Sequence, residues 1–134
     1  MIKDFVRRYP ARGVLFDSLG RMRYLSLLKY AALMVGNSSS GLIEAPSFGL
    51  PVVNLGDRQR GRLRGRNVID VPRLNKKSLE QAIDKALSTS FRNSLKRMRN
   101  PYGKGNASGK IVDKLKVIRL GEPLIKKRFF EIIR

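Results

Sequence analysis

The sequence contains no cysteine and no histidine among its 134 residues. Without cysteine there is no disulfide framework and no thiolate metal site. Without histidine, the Ser-His-Asp and Cys-His nucleophilic sites and the His-bearing zinc sites are excluded, since no imidazole is present to carry the proton or bind the metal. No apolar run is long enough to span a bilayer. The start, Met1-Ile2-Lys3-Asp4-Phe5, lacks the apolar stretch of a secretory leader. The cytosol is therefore the expected compartment. Acidic residues are scarce as well: 10 Asp and Glu face 29 Lys and Arg, for a formal net charge of +19. Such a charge suits a phosphate-bearing partner, nucleic acid included. The cations are spread along the whole chain, however, and no zinc finger or aromatic RNP-type strand accompanies them. Nucleic acid is thus disfavoured against a smaller anion or a solvated basic surface.

The length suits one domain with a real core. Val14-Leu15-Phe16-Asp17 is a short apolar run fit for a buried strand. From Arg21 to Ala32 the spacing of Tyr24, Leu25, Leu27, Leu28 and Ala31 predicts a helix. Leu33 to Gly36 is a second buried strand, and Asn37-Ser38-Ser39-Ser40-Gly41 reads as a strand-to-helix turn. A helix over Ser39 to Phe48 follows, short or kinked because Pro46 cannot donate to the Leu42 carbonyl, with Gly49 as its C-cap. Pro51 to Leu55 and Asn67 to Val71 are two further strands, separated by an Arg- and Gly-rich loop. Asn75 caps the next helix, whose stripe is Leu79, Ala82, Ile83, Ala86 and Leu87. Leu74 and Leu79 occupy the positions of a hydrophobic staple. A short helix over Phe91 to Arg99, a turn at Asn100-Pro101-Tyr102-Gly103 and a helix from Asn106 complete the order. Apolar strands alternating with helices predict an α/β domain with a doubly wound parallel sheet. Residues 1–121 are expected to form it, with 122–134 as a basic tail carrying Phe129 and Phe130.

In such sheets ligands bind at the carboxyl ends of the strands, which is where the serine turn falls. A helix N-terminus offers unpaired N–H groups to an anion, serine hydroxyls add donors, and Gly41 would let an oxygen approach the backbone. An N-cap serine needs no ligand to explain it, though, and on these residues alone both readings stand. Glu44, one turn on, could accept both hydroxyls of a ribose or merely favour the helix dipole. Arg58, in the loop after the next strand, could clamp a diphosphate through its fork of donors. Arg60, Arg64 and Arg66 read as a solvated basic loop.

The run Gly36-Asn37-Ser38-Ser39-Ser40-Gly41-Leu42-Ile43-Glu44-Ala45-Pro46-Ser47-Phe48-Gly49-Leu50-Pro51-Val52-Val53-Asn54-Leu55-Gly56-Asp57-Arg58-Gln59 resembles the C-terminal-domain signature of hydrolysing UDP-N-acetylglucosamine 2-epimerases. Ser18 to Leu28, Asn100-Pro101-Tyr102-Gly103 and the ending around Lys127-Arg128-Phe129-Phe130 are similar to bacterial members too. The resemblance implies a Rossmann-like C-terminal part of a GT-B architecture, with the active site in a cleft against an N-terminal domain that this chain lacks. It implies that Ser38, Ser39 and Gly41 hold the UDP diphosphate, with Ser40 as a backbone donor. Glu44 would bind the ribose, Arg58 would meet the phosphates and Tyr24 would lie against the uracil. The reaction it implies is elimination of UDP across C1–C2 of the sugar, followed by addition of water to give N-acetylmannosamine for sialic acid and related capsule sugars. No metal or cofactor is implied. The acid/base residues would lie in the missing part, so this chain alone would bind UDP or UDP-N-acetylglucosamine without turning it over. It would also self-associate through the apolar surface left open. Other GT-B proteins remain rivals: a non-hydrolysing epimerase, an enzyme of a GDP-linked sugar, or a glycosyltransferase. Gly56-Asp57-Arg58-Gln59 favours the hydrolysing branch.

Overall fold

The computed structural model describes residues 1–126. The chain divides into two compact units, Met1–Gly103 and Lys104–Arg134. In the first unit, α1 (Ile2–Arg8) and α2 (Gly20–Tyr30) precede β1 (Met34–Gly36), α3 (Ser40–Ile43) and a 3-10 turn (Ala45–Phe48). Then come β2 (Val52–Leu55), β3 (Val68–Val71), α4 (Lys76–Leu87) and α5 (Thr89–Leu95). The second unit carries α6 (Ala107–Val117) and α7 (Glu122–Ile125).

The three strands form one parallel sheet in the order β1-β2-β3, with Met34 beside Val52 and Val52 beside Val68. Successive side chains of a strand point to opposite faces, and the central strand shows the consequence. Val52 packs with Leu28, Ala45 and Leu50 on one face, while Val53 packs with Val71, Ala82 and Ala86 on the other. Both valines are at most 1% exposed. A strand covered on both faces needs apolar residues in succession rather than in alternation. The doubly wound α/β class expected from the sequence is therefore the one found.

Local chemistry explains the element ends. Asn75 accepts from the Ser78 N–H at 2.8 Å, and the Ser78 hydroxyl faces back to the Asn75 N–H at 3.3 Å, closing a capping box at the start of α4. Leu74, the outer residue of the expected staple, is 63% exposed and contributes little burial. Pro46 splits the helix after the serine turn into α3 and the 3-10 turn, and Gly49 ends it with φ 61°, a left-handed conformation that glycine adopts without a Cβ clash.

Two expectations need correction, and two helices lie where none was expected. Val14–Asp17 is not a strand: Val14 is 72% and Phe16 59% exposed, and the segment is irregular. A run of three apolar residues, Val14 to Phe16, has the same pattern in a strand and in a cleft wall, and no strand among the described residues pairs with it. The helix expected over Phe91–Arg99 runs from Thr89 to Leu95, because Ser88 caps it and Arg97 takes a φ of 64° just beyond its end. The strongly basic α1 was not anticipated and buries no residue. Finally, α7 occupies the start of the expected tail; Phe129 and Phe130 lie outside the described residues. No helix among those described is long and apolar enough to cross a membrane.

Candidate functional site

The serine turn begins where β1 ends. Inside it, the Gly41 N–H donates to the Ser38 carbonyl at 3.2 Å, Leu42 N–H donates to the Ser39 carbonyl at 3.0 Å, and Ser40 N–H reaches the Ser38 hydroxyl at 3.3 Å. The Ser38 and Ser39 N–H groups donate to nothing among the described residues. Two adjacent backbone donors at the carboxyl end of a strand, with exposed Ser38 at the mouth, can receive an anion. Because α3 is only four residues long, its dipole is small and these individual donors carry any anion affinity.

Gly41 is placed differently from Ser38 and Ser39. It is buried, and a Cβ on it would meet Val52 Cγ1 at 2.8 Å. The glycine lets α3 pack onto β2, beneath the turn. Asn67, fully buried, ties the same region together by donating to the Leu50 carbonyl at 3.0 Å and the Gly41 carbonyl at 3.4 Å.

Ser40 takes a larger part than its backbone. Its hydroxyl donates to Glu44 Oε2 at 2.5 Å, one turn along, and is also hydrogen-bonded to the Tyr24 hydroxyl from α2. A serine has one hydroxyl proton. Since Ser40 gives it to Glu44, Tyr24 must be the donor to Ser40. The three half-buried side chains form a directed chain that leaves Glu44 Oε1 free of partners among the described residues. The i, i+4 spacing of Ser40 and Glu44 was the signal for this link. Tyr24 and Glu44 open on one cavity of about 680 Å³, walled by Val14 to Gly20 with Arg21 and Leu27. That size lies in the range of small-molecule pockets. The apolar run mistaken for a strand thus lines a cleft beside the candidate ribose carboxylate.

Arg58 lies in the loop after β2, the strand next to β1, at the same edge of the sheet as the serine turn. It is exposed and has no ionic or hydrogen-bond partner among the described residues. Arg64 is not the solvated cation expected. It pairs with Asp70 at 2.9 Å and donates to the Gln59 carbonyl and the Arg62 carbonyl, both at 3.0 Å. Asp70 in turn accepts from Asn54 at 2.7 Å. Gln59 donates from Nε2 to the Asn37 carbonyl at 2.7 Å, fastening the Arg58 loop to the serine turn. Asn100 braces the underside, donating to the Ile43 carbonyl at 2.8 Å and the Ser47 hydroxyl at 2.7 Å, while Tyr102 donates to the Leu63 carbonyl at 3.0 Å. The structure therefore brings Tyr24, Ser40 and Glu44 together, sets Ser38, Ser39 and Arg58 on one edge, and puts Gly41 below them.

Comparison with known proteins adds the family. Residues 1–116 match the family described as UDP-N-acetylglucosamine 2-epimerase. A Campylobacter jejuni protein named GDP/UDP-N,N'-diacetylbacillosamine 2-epimerase (hydrolyzing) is 45% identical over 69% of this chain and 23% of its own length. The polysialic acid biosynthesis protein P7 of Escherichia coli is 37% identical over 88% of this chain and 29% of its own. A Legionella pneumophila UDP-N,N'-diacetylbacillosamine 2-epimerase (hydrolyzing) is 38% identical over 95% of this chain and 32% of its own. A crystal structure from Listeria monocytogenes, described as a UDP-N-acetylglucosamine 2-epimerase, shares the fold with a TM-score of 0.66 at 21% identity, covering 86% of this chain and 32% of that one. The chain spans roughly a quarter to a third of the length of these relatives, and it belongs to the UDP-N-acetylglucosamine 2-epimerase family.

Proposed function

We propose that this chain is the UDP-holding portion of a hydrolysing 2-epimerase that acts on a UDP-linked 2-acetamido sugar, with UDP-N-acetylglucosamine as the substrate and N-acetylmannosamine and UDP as products. The observation that carries the reading is the pairing, at one sheet edge beside the Tyr24–Ser40–Glu44 chain, of the Ser38 and Ser39 N–H groups with Arg58, none of which has a partner among the described residues. Two amide donors and a guanidinium suit a diphosphate. A carboxylate with one oxygen held by Ser40 and the other without a partner among the described residues suits a ribose diol. As the sugar C1–O bond breaks, charge gathers on the UDP leaving group, and donors already directed at it lower that barrier.

Catalytic acid/base groups are assigned to the part of the relatives' length that this chain does not span, so the chain by itself binds UDP and is inactive. The proposed setting is sialic acid or related capsule sugar synthesis in the cytoplasm. A second substrate is favoured by the names of two relatives, which act on a diacetylated bacillosamine carried on UDP, or on GDP or UDP.

Titration calorimetry with UDP, GDP and a short DNA duplex tests this. UDP should bind, and binding should weaken in Ser39→Ala and in Glu44→Ala. Equal UDP affinity in wild type and both variants would reject the site. Salt-sensitive DNA binding without nucleotide binding would reject the function.

A further inference from the structure

Gln59 is 3% exposed, and only one end of its amide is paired. Its Nε2 donates to the Asn37 carbonyl at 2.7 Å, while its Oε1 is buried with no partner among the described residues. Leaving a buried acceptor unpaired is unfavourable, so an amide here is explained by its one donor bond. The carbonyl it holds belongs to the peptide linking Asn37 to Ser38. A trans peptide is planar, and its C=O and N–H point in opposite directions. Pinning the Asn37 oxygen towards Gln59 therefore points the Ser38 N–H away from Gln59, where it has no acceptor among the described residues. Gln59 is itself anchored. Its carbonyl accepts from Arg64 at 3.0 Å, Arg64 pairs with Asp70 on β3 at 2.9 Å, and Asp70 accepts from Asn54 on β2 at 2.7 Å. Arg58 is its chain neighbour, so one side chain sets the turn and the arginine relative to each other.

We propose that Gln59 is a positioning residue for diphosphate recognition: by holding the Asn37 carbonyl it directs the Ser38 N–H to the phosphate and keeps Arg58 in register with it. The inference rests on the UDP reading above. It predicts a defect confined to phosphates, because the proposed base and ribose contacts, Tyr24 and Glu44, lie on α2 and just after α3.

The test uses the whole chain, with UDP and uridine as ligands. Gln59→Glu keeps the shape but sets a carboxylate against the Asn37 carbonyl; Gln59→Met removes the donor. UDP affinity should fall about tenfold or more in both, with uridine affinity unchanged. In wild type the Ser38 amide resonance should move with UDP and stay still with uridine, a measurement that needs no variant to fold. Equal losses for UDP and uridine would make Gln59 merely structural and overturn the proposal. So would a Ser38 amide that saturating UDP leaves unmoved, or UDP binding in both variants that matches wild type. A wild-type chain that binds no UDP would fail differently, by removing the nucleotide reading itself.

Discussion

Gly41 and Val52 lie so close that a Cβ on the glycine would sit 2.8 Å from Val52 Cγ1. The valine is 1% exposed on the central strand and cannot retreat without opening the core. Gly41→Ala must therefore displace α3, at a cost of about 1–3 kcal/mol from overpacking. Urea denaturation measures this as a lower midpoint. A midpoint equal to wild type would show that α3 shifts freely.

Asn67→Ala removes the donor shared by the Leu50 and Gly41 carbonyls in a fully buried setting. Two acceptors would be left without water or partner. The expected destabilisation is about 2–4 kcal/mol, large for a chain of this size. Thermal and chemical melts should agree on it, and a loss under about 0.5 kcal/mol, the usual surface value, would contradict the bridging role.

Arg58 and Arg64 should separate cleanly. Arg58 is exposed and unpaired among the described residues. Arg58→Ala should leave stability within about 0.5 kcal/mol and weaken UDP binding about tenfold or more, the scale of a charged hydrogen bond. Arg64 joins Asp70 and two carbonyls, so Arg64→Ala should cost about 1–3 kcal/mol of stability. Parallel calorimetry and denaturation curves decide; an Arg58→Ala variant that unfolds early but binds normally would reverse the assignment.

Tyr24, Ser40 and Glu44 form one hydrogen-bonded chain, so their substitutions should not add. Tyr24→Phe and Glu44→Ala, singly and together, make a double-mutant cycle on UDP affinity. A coupling above about 0.5 kcal/mol is expected for groups in one network. Ser40→Ala should lower affinity for UDP more than for its 2′-deoxy counterpart, whose ribose has lost one of the hydroxyls assigned to Glu44. Strict additivity would mean that Tyr24 acts on its own.

Val14, Leu15, Phe16 and Leu27 leave an apolar wall 43–72% exposed around the cleft. Adjacent exposed apolar side chains favour association. Light scattering should show mass rising with concentration, and Phe16→Asp should reduce it. A constant monomer mass in wild type would refute the idea.

The features legible in the sequence are those set within a few residues. Asn75 and Ser78 close a cap by themselves; Pro46 and Gly49 break and end a helix by their own backbone limits. The apolar runs at Met34, Val52 and Val68 announced a covered parallel sheet because both faces of such strands must be apolar. The placement of the serine turn and the Arg58 loop at one edge was legible because each follows a strand of one parallel sheet.

What tertiary structure decided involves partners far apart in the chain. Ser40 meets Tyr24 sixteen residues back, Gln59 meets Asn37 twenty-two residues back, and Asn67 meets Gly41 twenty-six residues back. No local pattern distinguishes an arginine that pairs with Asp70 from one that faces water, or a glycine that admits a ligand from one that admits Val52. Nor can three apolar residues tell a strand from a cleft wall until a neighbouring strand is present or absent. The sequence by itself determined which backbone conformations were available and where the edge of the sheet would fall. Only the packing decided which side chains hold that edge in shape, because hydrogen bonds and steric contact act over a few ångströms of space whatever the separation along the chain.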